Sequence, residues 1–370
     1  MKKRDKFLMN NKKGLSTIVV TLILIVLSLV AVGVVWVVVN NILKSGTSQA
    51  SFQFGTLFLN LKIDRALMDT SGNLLVTVSR GTGQGDLSAI DFIVSDGKNS
   101  QVIKKSTTLS ELGTSTFTFS PSDLGSISLV KQIDIAPILN SGGQDQIGSK
   151  VDSKVFSTKE MIQNIGGVSW WRLDGDASDE LGNNPGTIVG GLTFVQGRAG
   201  QAASFDGTYR YINTNSGNNL PLGNSPRTML AWIKPAGYPD PTYNGILVYS
   251  GGACTTGSLL SINNVGRLTM AFWCNDAYQA GVTVNLNQWN QVAFTYEGGT
   301  SVKFYINGAL ADTETISTGI AAATTNGPIR IGCTDNPGRC FNGQIEDAMI
   351  FNKALTPSQI QTLYNLDLSQ

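Results

Sequence analysis

The most abrupt pattern in the chain is a change from charged to uncharged residues near its start. Residues 1–13 carry six lysines and arginines against one acid, and no side chain from Gly14 to Leu43 is charged. This apolar run exceeds the ~20 residues that a helix needs to span a bilayer. Because positive flanks stay in the cytoplasm, the pattern predicts a single membrane span with a cytoplasmic N-terminus and everything after Lys44 outside the cell.

Beyond a polar hinge at 45–50, apolar and polar residues alternate with the period of two that is typical of strands. The alternation is clearest at 57–63 and 74–78, and turn-forming residues separate such runs. About seven strands between 51 and 158 predict a small antiparallel β-sandwich as the head domain. The last strand is expected to end at Pro137, because proline donates no hydrogen bond to a sheet.

A second alternating region follows residue 166. Val292, Phe294 and Tyr296 alternate with Gln, Ala and Thr as a half-buried strand does. The Asn-Gly pair at 307–308 predicts a hairpin, and the capping box at 356–359 predicts a short final helix. These signals predict an antiparallel two-sheet jelly roll over 167–366, so the fold class is mainly β with one N-terminal hydrophobic helix.

The composition excludes several kinds of catalytic and metal site, although it says little about the fold. The chain has no histidine, which excludes Ser-His-Asp and Cys-His catalysis and histidine-ligated zinc. Its net charge is +1, of which residues 1–14 supply +5, so the chain from Leu15 onward carries −4. No basic patch remains there that would indicate nucleic-acid binding.

The four cysteines, Cys254, Cys274, Cys333 and Cys340, all lie late in the chain. An even count in an exported region indicates disulfides. Cys333 and Cys340 bracket an Asn-Pro-Gly turn signal, which predicts that this pair clips one loop and leaves Cys254–Cys274 as the other pair. The two other connectivities, and free thiols, stay open.

The start of the chain resembles the class III signal of type IV pilin-like proteins, above all archaeal pilins and archaellins. The resemblance rests on Lys-Lys-Gly-Leu-Ser at 12–16, where the basic leader meets the apolar run, and on Val19 in place of the Glu of bacterial pilins. It implies cleavage between Gly14 and Leu15 by a prepilin peptidase-like enzyme. The apolar segment 15–44 would then be a transmembrane and later a filament-core helix, packing against other pilin-like subunits. The alternative is a signal anchor that is never cut.

Residues 168–365 resemble the laminin G-like, concanavalin A-like jelly-roll family. In order along the chain, the matching segments are 170–176, 179–187, 200–207, 228–235, 289–296, 303–308 and 342–355. Among them, Gly-Gln-Ala-Ala-Ser-Phe-Asp-Gly at 200–207 and Thr-Met-Leu-Ala-Trp-Ile-Lys-Pro at 228–235 resemble two characteristic strands of the family. The resemblance implies a domain that binds glycans or proteins, in some members through calcium.

Candidate binding residues follow from that resemblance and from the loops that a sandwich presents. The candidate ligand-binding aromatics in or near loops are Tyr209, Tyr238, Tyr243 and Tyr278. The carboxylates that family members bring near one another, and that would hold Ca²⁺, are Asp174, Asp179, Asp206 and Asp347. The competing interpretation is that these aspartates form turns and caps.

Hydrolysis is disfavoured as the activity. Relatives that cut polysaccharides carry an E-x-D-x-x-E strand, whereas this chain has only the adjacent Glu346 and Asp347, predicted to point to opposite faces of a strand. The sequence therefore predicts a cell-surface pilin-like subunit whose laminin G-like domain mediates adhesion to glycans or surface proteins. The alternatives are a membrane-anchored binding protein that does not polymerise and, third, a surface glycoside hydrolase.

Overall fold

The computed structural model describes residues 59–368, with gaps at 70, 83–85, 142–143, 216, 251–256, 273–277, 317–323, 337 and 367, together with Val35. The predicted leader, the cleavage site at Gly14 and Leu15, the apolar segment 15–44, Cys254 and Cys274 lie outside the described residues. Within the part of the chain that the structure describes, no helix is both long and apolar enough to cross a membrane.

The first part of the described chain forms two antiparallel sheets. Its elements are β1 (Leu61–Met68), β2 (Leu74–Arg80), β3 (Leu87–Ser95), β4 (Ser100–Ser106), β5 (Thr114–Phe119), α1 (Pro121–Leu124), β6 (Gln132–Ser141), β7 (Gln144–Ile147) and β8 (Asp152–Val155). One sheet has the order β1-β2-β5 and the other the order β4-β3-β6-β7, with β8 also paired to β6. A helix, α2 (Thr158–Asn164), follows with a complete capping box at Ser157.

Strand β6 does not end at Pro137, as the sequence predicts, but continues to Ser141. On the side of β6 that does not face β3, two short strands pair with different parts of it. Strand β8 pairs with residues 132–135, and β7 pairs with residues 138–141. Pro137 lies between these two pairings. Its missing N–H therefore removes no hydrogen bond from either neighbour, and the strand tolerates it.

The second part is a two-sheet sandwich. Its elements are β9 (Gly167–Trp171), β10 (Thr187–Val189), β11 (Thr193–Gln196), β12 (Gln201–Asp206), β13 (Tyr211–Asn213), β14 (Arg227–Gly237), β15 (Asn244–Ser250), β16 (Gly257–Ile262), β17 (Arg267–Ala271), β18 (Tyr278–Thr283), β19 (Asn290–Tyr296), β20 (Ser301–Ile306), β21 (Ala309–Thr315), β22 (Ile329–Ile331), β23 (Asn342–Phe351) and α3 (Pro357–Asn365). The seven-stranded sheet has the order β10-β13-β22-β15-β16-β17-β18. The eight-stranded sheet has the order β11-β12-β23-β14-β19-β20-β21, with β9 paired to β23.

Local signals in this part are confirmed. Asn307 and Gly308 both have positive φ, at 51° and 77°, as the predicted two-residue hairpin between β20 and β21 requires. The Thr356 side chain accepts from the Gln359 backbone and the Gln359 side chain accepts from the Thr356 backbone, which completes the predicted capping box of α3. The mainly β, antiparallel fold class is thus confirmed for the described chain.

Two hydrophobic clusters divide the buried side chains. One fills the space between the two sheets of the sandwich and includes Met229, Leu260 and Phe294. The other joins the core of the first part to the outer face of the eight-stranded sheet, so that Phe92 and the α3 residue Ile360 belong to one cluster. That outer face is therefore covered, and the loops at the ends of the sandwich are the places where polar side chains meet solvent.

Candidate functional site

Three loops meet at one end of the sandwich, and we call them the three-loop site. They are 207–210 between β12 and β13, 238–243 between β14 and β15, and 332–341 between β22 and β23. The Gly207 N–H donates to the Phe341 carbonyl oxygen at 3.0 Å, and the Gly245 N–H donates to the Arg339 carbonyl oxygen at 3.4 Å. A Cβ at Gly207 would lie 3.1 Å from Pro239 Cγ. The loops therefore pack directly on one another.

A disulfide holds the longest of these loops. Cys333 and Cys340 are joined across seven positions, which confirms the predicted pair. Inside the loop, the Thr334 N–H donates to Arg339 O at 3.1 Å and the Arg339 N–H donates to Asn336 O at 3.0 Å, forming a tight turn. Cys333 Sγ lies 3.4 Å from the Arg210 carbonyl oxygen, so the disulfide also packs on the first loop. The Cys254–Cys274 pairing stays a prediction.

Aromatic rings and guanidinium groups line the site. The Tyr209 and Tyr211 rings are 4.7 Å apart, the Arg330 guanidinium lies 5.2 Å from the Tyr211 ring, and the Arg339 guanidinium lies 5.0 Å from the Tyr243 ring. Tyr211 and Tyr243 are almost buried, whereas Tyr209 is 39% exposed. A guanidinium stacked on a ring keeps its N–H groups free at the edge. The site thus presents one exposed ring beside two buried rings that each carry a guanidinium group.

Two buried polar atoms of the site lack hydrogen-bond partners in the described structure. Arg330 donates from Nη1 to the Thr334 carbonyl oxygen at 3.1 Å, but its buried Nε has no partner, and neither has the buried Asp335 Oδ1. Burial raises the pKa of Asp335, against the opposing charges of Arg330 and Arg339. The pKa of Tyr211 is raised, mainly by its hydrogen bond with Tyr209 and, to a smaller extent, by burial. Unpaired buried donors and acceptors cost free energy.

The predicted ligand-binding tyrosines do not all belong to this site. Tyr209 and Tyr243 lie in it, on two different loops. Tyr238 leaves its loop toward Gly266 and donates from its hydroxyl to Val284 O at 3.1 Å, and burial raises its pKa. Tyr278 is partly buried against the core between the sheets. These two serve packing in the described structure.

Sequence reasoning missed Arg330, Asp335 and Arg339. Two of them, Asp335 and Arg339, stand between the paired cysteines, and that position is a signal that could have found them. Arg330 is different, because it reaches the site through the register of β22, which pairs it with Val248 on β15 and Asn213 on β13. Nothing in the local sequence around Arg330 shows these neighbours.

Each of the four candidate calcium ligands is engaged by protein groups. Asp179 accepts four backbone N–H groups, from Trp170, Leu181, Asn183 and Asn184. Asp174 accepts from the Gln201 N–H, Asp206 pairs with Thr208 and Arg210, and Asp347 accepts from the Trp170 indole. Among the described residues there is no group of three or more His, Cys, Asp or Glu side chains that could hold a metal ion. The structure therefore does not bring these four carboxylates together around one Ca²⁺, and calcium binding by this chain stays a prediction.

The predicted orientation of Glu346 and Asp347 is wrong. Asp347 has φ +51° beside a bulge in the pairing of β23 with β14, and this turns both carboxylates toward Arg198. Arg198 Nε lies 3.0 Å from Glu346 Oε1, as an ion pair without hydrogen-bond alignment, and Arg198 Nη2 lies 3.6 Å from Asp347 Oδ2. We call these three residues the Arg198 cluster.

The two carboxylates of the Arg198 cluster are closed to solvent, whereas the Arg198 side chain is 26% exposed. Glu346 and Asp347 are only 1% and 4% exposed. Burial raises the pKa of Glu346, and burial raises the pKa of Asp347 to about 7 despite the hydrogen bond from Trp170. Carboxylates that hydrolyse a glycosidic bond must flank it on both sides, which these buried groups cannot do in this conformation.

Comparison with known proteins finds a family model that matches part of the chain. Residues 206–361 match the family model described as the concanavalin A-like lectin/glucanases superfamily, a laminin G group. This part of the chain is a concanavalin A-like jelly-roll domain. The match confirms the resemblance of the domain and does not reach the N-terminal segment. No curated protein matches the chain.

Several solved structures are similar to this chain at low identity. Domain 4 of AbnA, a GH43 extracellular arabinanase from Geobacillus stearothermophilus in complex with arabinotriose, is 25% identical at a TM-score of 0.44, over 54% of this chain and 98% of that one. The binding domain of Paraclostridial Mosquitocidal Protein 1 is 19% identical at a TM-score of 0.45, and that of botulinum neurotoxin serotype D/C is 16% identical at 0.42. Each toxin match covers 54% of this chain and 52% of the toxin domain, about half its length. At these scores the likenesses carry no inference about a ligand.

Proposed function

We propose that the three-loop site binds a glycan outside the cell and that the protein is a non-catalytic adhesion subunit. The observation that carries this proposal is the exposed Tyr209 ring, which lies 4.7 Å from the Tyr211 ring where the three loops meet. Sugars offer an apolar face of C–H groups that packs on an aromatic ring, and hydroxyls that both donate and accept hydrogen bonds. The exposed Tyr209 ring, with the exposed Arg210–Asp206 pair next to it in the chain, matches that chemistry.

The charge balance of the site favours a neutral or weakly acidic sugar. Arg210 is neutralised by Asp206, with Nε 3.1 Å from Oδ2, and Asp335 lies under the influence of both Arg330 and Arg339. A strongly acidic ligand would need more cations than this arrangement leaves free. The closed Arg198 cluster supports binding rather than hydrolysis, because its carboxylates are out of reach of a ligand.

A glycan array probed with the detergent-solubilised full chain tests this function. Two variants at one position form a matched pair, since Tyr209→Phe keeps the ring and Tyr209→Ala removes it. We expect Tyr209→Ala to lose about fivefold in affinity for the bound glycan, and Tyr209→Phe to stay within about twofold. Equal binding by both variants, or no glycan bound by the wild-type chain, would overturn the proposal. Repeating the array with a chelator tests the calcium prediction separately.

We propose further that the N-terminal segment displays this domain on a filament. The Lys-Lys-Gly-Leu-Ser signal at 12–16 supports processing between Gly14 and Leu15, followed by packing of segment 15–44 with other pilin-like subunits. Many weak sites on one filament would gain avidity from their effective concentration. The mature N-terminus decides the matter. A start at Leu15 supports the filament, and a start at Met1 leaves a membrane-anchored binding protein.

A further inference from the structure

Two loop tips at one end of the sandwich carry exposed aliphatic side chains. Val265 is 57% exposed in turn 263–266, between β16 and β17, and Leu286 is 44% exposed in loop 284–289, between β18 and β19. Proteins expose single aliphatic residues routinely, so exposure alone indicates nothing. These two loops, which we call the two-tip surface, differ from an ordinary surface in their hydrogen bonds and in their charge.

The two loops are held against each other and against the three-loop site. The Val284 N–H donates to the Gly266 carbonyl oxygen at 2.9 Å. The Tyr238 hydroxyl donates to the Val284 carbonyl oxygen at 3.1 Å, and Tyr238 belongs to loop 238–243 of the three-loop site. The two tips therefore lie on neighbouring loops beside the three-loop site.

The backbone of the first tip is hydrogen-bonded within the protein. Asn263 Oδ1 accepts from the Val265 N–H at 3.1 Å and from the Arg267 N–H at 3.0 Å. The Gly266 N–H donates to the Asn263 carbonyl oxygen at 3.1 Å. The Asn263 side-chain amide in turn donates to Gln279 Oε1 at 3.1 Å. These groups leave water at little cost, because their partners are already in the protein.

The second tip is tied in the same way by its own asparagine. Asn290 Nδ2 donates to the Asn285 carbonyl oxygen at 3.1 Å and to the Gln288 carbonyl oxygen at 2.8 Å. The Asn287 N–H donates to a carbonyl oxygen of β14 at 2.7 Å. In a bilayer, where water supplies no partners, backbone groups must be satisfied within the protein. Both tips meet that requirement at these positions.

Charge is nearly absent from this part of the chain. Between Gly257 and Tyr296 only Arg267 and Asp276 are charged, and Asp276 lies outside the described residues. Because ionised side chains are the groups that hydrocarbon rejects most strongly, a surface with so few of them can enter a bilayer interface. Arg267, at the end of the first tip, is exposed and would meet lipid phosphate.

The residue types favour lipid over a protein or a sugar as the partner. The side chains that carry protein–protein binding energy are mainly Trp, Tyr and Arg, and Val and Leu are under-represented among them. A sugar needs an exposed ring or free donors and acceptors. A bilayer interface instead accepts aliphatic side chains flanked by neutral polar ones, here the exposed amides of Asn264, Asn285 and Asn287.

We propose that the two-tip surface binds a lipid bilayer, with Val265 and Leu286 entering the boundary below the headgroups and Arg267 at the level of the phosphates. A target membrane that carries glycans would then contact this surface and the three-loop site together. Lipid binding by the two-tip surface does not depend on glycan binding.

Vesicles of phosphatidylcholine test this binding. The full chain is reconstituted in nanodiscs, so that its apolar segment 15–44 is not available to added lipid, and the discs are captured on a sensor by their belt protein. Protein-free phosphatidylcholine vesicles are then passed over them. We expect discs that carry the chain to retain vesicles and empty discs to retain none.

Val265→Asp/Leu286→Asp should weaken this retention by at least about tenfold, because two carboxylates replace two aliphatic groups at the interface. Leu112→Asp is the matched control, at an exposed leucine in the first part of the chain, and should retain vesicles as the wild type does. Val265→Leu adds one methylene to the first tip and should strengthen retention by about threefold.

Salt distinguishes an apolar contact from an electrostatic one. Phosphatidylcholine has no net charge, so raising the salt from about 0.1 M to about 0.5 M should leave retention unchanged. No retention by the wild-type chain, equal retention by the double aspartate variant, or loss of retention at high salt would each overturn the inference.

The thermal midpoint of each variant shows whether it is folded. If the double aspartate variant unfolds, Val265→Leu carries the test, and a failure to strengthen retention would contradict the inference. The vesicles carry no sugar, so failure here and failure of the glycan proposal are distinguishable.

Discussion

The Arg198 cluster and the three-loop site are built from the same kinds of residue and differ in what surrounds them. In the cluster, the Arg198 guanidinium lies 4.1 Å from the Trp232 ring, and Tyr364 of α3 stacks on that ring at 5.4 Å. In the three-loop site, Arg330 lies over Tyr211, but the neighbouring ring of Tyr209 is open to solvent. A guanidinium on an aromatic ring is therefore not by itself a mark of a binding site.

The positions of the two sites in the fold explain the difference. The cluster lies on the outer face of the eight-stranded sheet, where α3 packs and where a Cβ at Gly197 would clash with Glu346 Oε2. Its charges are buried together and each depends on the others. The three-loop site lies beyond the ends of strands, where Arg330 Nε and Asp335 Oδ1 have no partner. The two sites therefore differ in exposure: both carboxylates of the cluster are buried, whereas the Tyr209 ring and the Arg210–Asp206 pair of the three-loop site are exposed.

Arg198→Met should have the largest effect on stability among the variants that test the difference between the two sites. The substitution keeps much of the apolar stem but leaves Glu346 and Asp347 buried without a cation. Breaking a buried charge pair by removing one partner costs about 3–5 kcal/mol, so we expect the free energy of unfolding to fall by that amount. Urea unfolding followed by tryptophan fluorescence measures it.

The matched control is Arg65→Met, at an exposed arginine on β1. It should change the free energy of unfolding by less than about 0.5 kcal/mol. If Arg198→Met changes the free energy of unfolding as little as the control does, the carboxylates of the cluster are solvated in solution, and the description of the cluster as closed is wrong. Binding of glycan by the folded fraction should be unchanged in both variants.

Asp347→Asn tests the sign of the charge effect. Because the pKa of Asp347 is about 7 in the folded chain and about 3.9 when unfolded, the folded state binds the extra proton between these values. The free energy of unfolding therefore falls as pH rises from about 4 to about 7 and is level above that range. Asparagine accepts the same hydrogen bond from Trp170 without ionising, so the variant should lack this part of the slope.

We expect Asp347→Asn to be more stable than the wild type at pH 8, by about 4 kcal/mol, and equal to it near pH 3. Glu346, whose pKa is also raised, contributes a slope of the same sign in both proteins, so the difference between the two curves is the informative quantity. Urea unfolding across the pH range measures it, with Asp64→Asn at an exposed position as control. Parallel curves for Asp347→Asn and the wild type would show that Asp347 is ionised in the fold.

How much of this was predictable from sequence differs between the two sites. Alternation, the Asn307-Gly308 hairpin and the capping box at Thr356 are local signals, and each predicts its element because the physics that makes the element is local. The disulfide between Cys333 and Cys340 is equally local, as is the placement of Tyr209 in a loop.

The orientation of Glu346 and Asp347 was not predictable in that way. Adjacent strand residues point to opposite faces only while the ladder is regular, and a bulge with a left-handed Asp347 breaks the rule. Nothing in the local sequence marks the bulge, which depends on the pairing of β23 with β14. Likewise, Pro137 ends no strand because two distant strands leave a gap there. Long-range register decides these cases.

Removing the disulfide should have the smallest effect on stability among these variants. It should, however, affect the three-loop site and leave the Arg198 cluster unchanged. Cys333→Ala/Cys340→Ala opens a short loop, so the chain-entropy account predicts a loss of about 2 kcal/mol in the free energy of unfolding.

The Arg198 cluster lies elsewhere in the fold and should keep its pH dependence. The three-loop site should lose more, because Asp335 and Arg339 are held between these cysteines and their positions relative to Arg330 would loosen. Affinity for the glycan should then fall by about tenfold even where the variant is fully folded, since a ligand would have to order the loop. Unchanged affinity would mean that the turn hydrogen bonds of Thr334 and Arg339 suffice to preorganise the open site.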